Sequence, residues 1–319
     1  MELRAARRVF SRAGLSLFTV LIAATVLQMI LAAVIPESTP FYIWIVTFLP
    51  MYAIAMPLAF LILRGIPAAK VEKNPFTAGQ FFSILLICIG LMYAGNIVGS
   101  VITTVIAFLS GGDVLNPILS YAMDGGILLK LLIMVVLGPL MEELLFRKLL
   151  IDRLLPYGEK TALITSAVAF GLFHGNLSQF FYAAALGLAL GYVYLRTGKL
   201  RWSYIYHMII NFLGSIVAPA VLSAADLSFL SDPALSPEAM LSGLLQPGFL
   251  LYFGYSGLYG TAAMAGIVFF FLSLKKVYFR PTWLQLPKGK TFTTVWCNVG
   301  MILFVLSCCA LIVLTVVPL

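Results

Sequence analysis

Apolar runs of about 20 residues repeat along the chain from end to end, separated by short breaks that gather nearly all of the charge. A helix of about 20 residues rises roughly 30 Å, the thickness of a bilayer's hydrocarbon core. The pattern predicts nine helices, over 15–35, 41–63, 81–109, 127–150, 161–175, 179–195, 202–222, 249–274 and 294–317, with the third long and the fifth short. No segment has room for a separate soluble domain. Residues 1–319 therefore read as a single all-α domain, a polytopic membrane helix bundle of eight to nine transmembrane helices. The basic N-terminal stretch followed by a long apolar run resembles a secretory signal, but no convincing small-residue cleavage site follows, so a signal anchor is expected.

Composition sharpens this picture. With 62% hydrophobic and 10% charged residues, the chain has too little polar surface to coat a soluble globule of 319 residues. Charge placement supplies an orientation, because basic residues are retained on the cytoplasmic side of short loops. With the N terminus inside, every one of the 20 lysines and arginines except Lys130 falls in the N-terminal stretch, in an inner break or, for Arg147 and Lys148, at the inner end of a span, and the outer loops carry Glu37, Asp113, Asp124, Asp226, Asp232 and Glu238. The expectation is an integral protein of a bacterial plasma membrane, N terminus cytoplasmic and C terminus outside. The net charge of +8 is explained by inner loops facing anionic lipid, so no nucleic-acid partner is needed. Cys88, Cys297, Cys308 and Cys309 lack metal-ligand spacing and read as buried small hydrophobes in apolar spans.

Ionisable groups inside the spans are few, and a charge in mid-bilayer usually faces a bundle interior or a wet cavity where it finds a partner. Glu142, Glu143, His174 and His207 stand out, the last two being the only histidines in the chain. Consecutive helical residues point about 100° apart, so the adjacent acids separate. Glu143 precedes Arg147 by four residues, the favourable order for an ion pair, whereas Glu142 points elsewhere and is free to face a cavity. Phe170 lies one turn before His174. His207 and Asn211 share a helix face, and both can donate hydrogen bonds to an oxyanion.

The ordered set Glu142-Glu143-xxx-Arg147, Phe170-xxx-His174 and His207-xxx-Asn211, on three separate helices, resembles the three motifs of the CAAX protease and bacteriocin-processing family of intramembrane endopeptidases. The resemblance covers roughly residues 125–220, about a third of the chain; each motif alone is weak, and the ordered set is specific. It implies a core of membrane helices around a water-accessible cavity. By position, it implies that Glu142 and His174 activate the attacking water, His207 and Asn211 stabilise the oxyanion, and Glu143, Arg147 and Phe170 support them. The substrate class it implies is a membrane-associated protein or peptide, with or without a lipid modification.

The chemistry of these residue types agrees with peptide hydrolysis, which needs a base for water, donors for the oxyanion and an acid for the leaving amine. A zinc reading stays open beside it, since Glu142, His174 and His207 make a three-ligand set, but the H-E-x-x-H signature is absent and a ligating Glu142 would leave the base unassigned. No cofactor is the leading expectation. A proton-coupled transporter and a catalytically silent membrane scaffold are the rival functions, though neither inverted repeats nor paired broken helices are apparent. Taken singly, each histidine reads as a core imidazole, the two acids as a solvated helix end, and Asn211 as helix-packing glue. Gly187 and Gly191 form a G-x-x-x-G that predicts close helix packing. Gly254, Gly257 and Gly260 read as packing or lipid contact, and the outer loop 223–248 as a cap or a link.

The orientation is checked by fusing a reporter to each terminus. Cytoplasmic signal at the N terminus and external signal at the C terminus are expected, and the reverse pattern would contradict the charge argument.

Overall fold

The structure is a computed structural model that describes residues 3–111, 126–231 and 236–316. Among these residues it is all helical, as a polytopic membrane bundle. The helices are α1 (Leu3–Val34), α2 (Tyr42–Leu63), α3 (Ala78–Ser110), α4 (127–154), α5 (Glu159–Phe173), α6 (Leu177–Thr197), α7 (Leu200–Ala224), the short α8 (Pro237–Leu244), α9 (Pro247–Leu274), the short α10 (Thr291–Val295) and α11 (Val299–Val316). Seven of them, α1, α2, α3, α6, α7, α9 and α11, are long and apolar enough to cross a membrane.

Of the nine expected spans, those corresponding to α4 and α5 fall short of that measure, and both carry chemistry. The 15 residues of α5 rise only about 23 Å. The helix α4 holds Lys130, two glutamates, Arg147, Lys148, Asp152 and Arg153, and it is built of short α-helical and π-helical pieces. Neither has to face lipid along its length, because α5 packs against α4 and α6 and buries Ala162, Ala169 and Phe170. The last expected span, 294–317, is divided at residues 296–298. Asn298 mends the break: its amide donates to the Thr294 and Val295 carbonyls, and its oxygen accepts from Met301 N at 3.1 Å.

Prolines explain most of the irregular helix. Among the described residues, π-helical turns occupy Pro50–Ala55, Leu131–Leu137 and Leu213–Val217, and in each case one residue and then a proline follow: Pro57, Pro139 and Pro219. A proline inside a helix has no N–H and crowds the carbonyl four residues earlier. Widening the preceding turn relieves that crowding, and the residue before each proline bonds five residues back: Met56 N to Met51 O, Gly138 N to Ile133 O and Ala218 N to Leu213 O. A fourth π-helical stretch, Leu144–Ile151, has no such proline.

Small residues let the rods approach. On α6, Gly187 lies against Ala167 and Phe170 of α5, and Gly191 against Leu163, as the G-x-x-x-G spacing predicts. Gly14 of α1 and Gly300 of α11 bring two backbones together; a Cβ on Gly300 would lie 1.8 Å from the Ser11 carbonyl oxygen. Gly254, Gly257 and Gly260 of α9 meet no neighbouring atoms, which leaves the lipid-contact reading for them. Cys88 and Cys308 are buried, but Cys297 and Cys309 are exposed, contrary to expectation: Cys297 falls in the break before α11, and Cys309 on an outward face of it. In the 223–248 segment, the Phe229 ring packs against Gly243 and Phe249.

The basic breaks converge at one end of the bundle. Ala69 N bonds Asp152 O and Asn74 N bonds Thr197 O, while Leu284 N and Leu286 N bond the Pro156 and Tyr157 carbonyls. Ion pairs Glu159–Arg196 and Glu72–Arg280 cross-link the same strips, with the Arg280 backbone N–H donating to Glu159 at 2.8 Å.

The substitution Gly300→Leu is expected to force α1 and α11 apart and cost on the order of 1–3 kcal/mol, typical of overpacking. A thermal-unfolding midpoint equal to wild type in detergent would show that these backbones do not pack as described.

Candidate active site

The three motif helices meet around Phe170. Its ring stands edge-on to His174 at 5.0 Å and 84°, to His207 at 5.7 Å and 87°, and to Phe146 at 5.1 Å, while the Arg147 guanidinium lies 4.9 Å from its centre. One aromatic thus contacts both histidines and the buried cation.

Below it lies a chain of ionisable groups. Arg147 Nη2 is 3.2 Å from Glu143 Oε1, and both side chains are 0% exposed. Arg147 Nη1 donates to Ser166 Oγ at 3.4 Å, and Ser166 in turn donates to the Phe146 carbonyl. Glu143 Oε1 also faces His207 Nδ1 at 3.1 Å. The other ring nitrogen, Nε2, lies 3.5 Å from Glu142 Oε2. Glu142 is 18% exposed, so it alone of the two acids opens toward solvent. Spacing along one helix predicts the Glu143–Arg147 geometry; it does not show that His207, 64 residues later, bridges both acids.

His174 ends α5 where the chain turns through Gly175 (φ 63°). Its Nδ1 is 2.8 Å from the Phe170 carbonyl oxygen, an acceptor only, so Nδ1 carries the hydrogen in that bond and Nε2 remains for other partners. The buried Asn176 caps α6 by accepting from Gln179 N and donates back to the His174 carbonyl at 2.9 Å. Gln179 continues the network to the Tyr182 hydroxyl at 2.8 Å. His174 lies within electrostatic range of both Glu142 and His207.

Asn211 is already engaged. Its Nδ2 donates to the Met134 carbonyl at 2.8 Å. That carbonyl is orphaned by the bulged turn, since Gly138 N bonds Ile133 instead and residue 139 is a proline. Tyr204 likewise donates to Val136 O at 3.2 Å. One amide hydrogen of Asn211 is therefore committed to positioning, and one remains.

Glu142, His174 and His207 do not form a metal-ligand set in this geometry. No group of three His, Cys, Asp or Glu side chains among the described residues is arranged to hold a metal ion.

Residues 124–213, which hold all of these motif residues, match the family model described as type II CAAX prenyl endopeptidase Rce1-like. Over this segment the chain is similar to that family. A Bacillus subtilis (strain 168) protein described as "Putative membrane peptidase YdiL" is 30% identical over 87 residues, which is 26% of this chain and 34% of that protein. The chain thus matches about a third of the length of that relative. No solved structure matches.

Two groups beside Glu142 escaped the motif search. The Tyr52 hydroxyl on α2 lies beside the Glu142 carboxylate, and Tyr182 on α6 is also near it. Glu142 is consequently not the partnerless acid that helix geometry alone suggests. A proline-flanked tyrosine in an otherwise apolar run was the available signal.

Removing one member of the buried pair leaves the other uncompensated. Arg147→Ala is expected to cost about 3–5 kcal/mol. Chemical denaturation in detergent checks this, and a stability within about 0.5 kcal/mol of wild type would mean that water reaches Glu143.

Proposed function

We propose that this protein is an intramembrane endopeptidase that hydrolyses peptide bonds of a membrane-associated protein or peptide, with or without a lipid modification. The single observation that carries the proposal is the chain Arg147–Glu143–His207–Glu142, which ends on a partly exposed carboxylate in the family-matched segment.

Glu142 takes a proton from water and His174 Nε2 accepts the water's other hydrogen bond, so that the oxygen is oriented as it becomes nucleophilic. Attack on the peptide carbonyl gives a tetrahedral oxyanion. With a proton on each nitrogen, His207 donates to Glu143 from Nδ1 and offers Nε2–H to that oxyanion, and the second amide hydrogen of Asn211 joins it. Glu142 then delivers the abstracted proton to the leaving amine, which completes the cleavage with no covalent enzyme intermediate.

Glu143 acts through His207. Held by Arg147, it fixes the imidazole's rotation and tautomer, the part that a buried carboxylate plays behind the histidine of a hydrolase triad. Phe170 holds both histidines at their separation. No step in this mechanism passes through a metal. By the charge argument, the site lies in the inner half of the membrane, with the N terminus cytoplasmic.

The test uses purified full-length protein and a library of fluorogenic peptides, with and without lipid modification. Glu142→Ala and His174→Ala are each expected to lower kcat/KM at least about 100-fold, the lower range of general acid–base catalysis. Turnover indifferent to both changes would refute the mechanism, and turnover absent from every peptide would favour a transporter or scaffold. A chelator is expected to leave turnover unchanged; loss on chelation and recovery with zinc would restore the metal reading.

A further inference from the structure

We propose that Tyr52, on α2 and outside the family-matched segment, is a positioning residue that holds Glu142 in its working orientation. The inference rests on the endopeptidase reading, in which Glu142 is the general base.

The geometry points to it from several directions. The Tyr52 hydroxyl lies beside the Glu142 carboxylate, where it can donate a hydrogen bond to it. Its oxygen also fills the space that a side chain at residue 138 would occupy: a Cβ built on Gly138 would lie 2.9 Å from it. Gly138 and Glu142 are four residues apart on the α-helical piece Gly138–Glu143, so they share a face of α4. The hydroxyl therefore sits one turn before the carboxylate, in a slot kept open by a glycine.

The ring is held from behind. Trp44, Phe48 and Tyr52 stack along α2, with centroids 5.0 and 5.9 Å apart and ring planes within 22° and 26° of each other. Trp44 is buried, and Tyr52 packs against the main apolar core. Tyr52 lies inside the bulged turn Pro50–Ala55 ahead of Pro57, and Gly138 immediately follows the bulged turn Leu131–Leu137 ahead of Pro139. Two proline-driven distortions on separate helices thus adjoin the same contact.

Glu142 needs such a restraint. A partly exposed glutamate side chain with three rotatable bonds would otherwise sample many orientations, and ordering it at the moment of reaction would raise the barrier. His207 approaches Oε2 at 3.5 Å, longer than a good hydrogen bond. A phenol donor from a different helix fixes the carboxylate beforehand.

The experiment compares Tyr52→Phe, Gly138→Ala and the double variant with wild type, using full-length protein and a cleaved fluorogenic peptide. Loss of a hydrogen bond to a charged group corresponds to about a tenfold to hundredfold fall in kcat. That fall is expected in Tyr52→Phe with KM unchanged, a split that a merely structural tyrosine would not produce. Gly138→Ala is expected to lower kcat in the wild-type background and to add nothing in the Tyr52→Phe background, because the displaced hydroxyl is already gone. An equal cost in both backgrounds would show that Gly138 does not act through the hydroxyl and would overturn the slot that places it against Glu142. Unchanged kcat in Tyr52→Phe, alongside inactive Glu142→Ala, would overturn the inference and leave the endopeptidase reading standing. Retained turnover in Glu142→Ala would instead sink that reading. Infrared difference spectra provide a readout without substrate: Tyr52→Phe is expected to shift a carboxylate stretch that is missing in a Glu142→Gln background. Identical spectra would overturn the inference.

Discussion

A carboxylate and a guanidinium removed entirely from water constrain everything around them. Glu143 and Arg147 each lose several kcal/mol of hydration on burial, which their mutual attraction offsets only with good geometry and further hydrogen bonds. The neighbouring helices supply part of that compensation, through Ser166 from α5, His207 from α7 and the face of Phe170, while Glu143 Oε2 and Arg147 Nε have no hydrogen-bond partner among the described residues. Three helices are thereby drawn to one point by electrostatic need as well as by apolar packing. The imidazole recruited to satisfy Glu143 has a second nitrogen, and that nitrogen meets Glu142. In the proposed mechanism, the group that stabilises the core on one side presents the reacting carboxylate on the other.

Proline placement shapes the same region from the backbone upward. Pro57, Pro139 and Pro219 each follow a widened turn, and each widened turn frees or redirects carbonyl groups that the apolar bundle cannot leave unpaired. The Met134 carbonyl freed on α4 is taken by Asn211 of α7, and Tyr204 of the same helix donates to the Val136 carbonyl nearby. Asn211 thus has a positioning contact that arises from Pro139, with its amide 2.8 Å from the Met134 carbonyl oxygen. The distortions fall beside Tyr52, Glu142 and Asn211, where side chains from α2, α4 and α7 must be aimed at one another. Glycines set the spacing at which this aiming works, bringing α6 onto α5 and α1 onto α11.

Much of this was legible in the chain itself. Hydrophobic run length predicts the helices, because a bilayer demands about 20 residues of apolar helix and tolerates little else. The two helices that fail a strict length and apolarity criterion, α4 and α5, were legible as one with ionisable groups and one that is short. A spacing of four predicts the Glu143–Arg147 contact, since both residues lie on one helix and its periodicity alone brings them together. Residue type and order single out Glu142, His174, His207 and Asn211 because polar groups are so scarce in the spans.

What the sequence by itself determined was therefore local: where each helix runs, which side chains share its face, and which few polar groups must find partners in the membrane. Only the tertiary structure decided who those partners are. His207 bridges two acids instead of standing with Asn211 alone, Asn211 spends a donor on Met134, and Tyr52 reaches Glu142 from a helix with no motif. The physical reason is that periodicity specifies angles within a helix but not the rotation and register between helices. Those depend on glycine contacts and proline bulges distributed over the whole bundle, and a bulge of one residue turns every later side chain by about 100°.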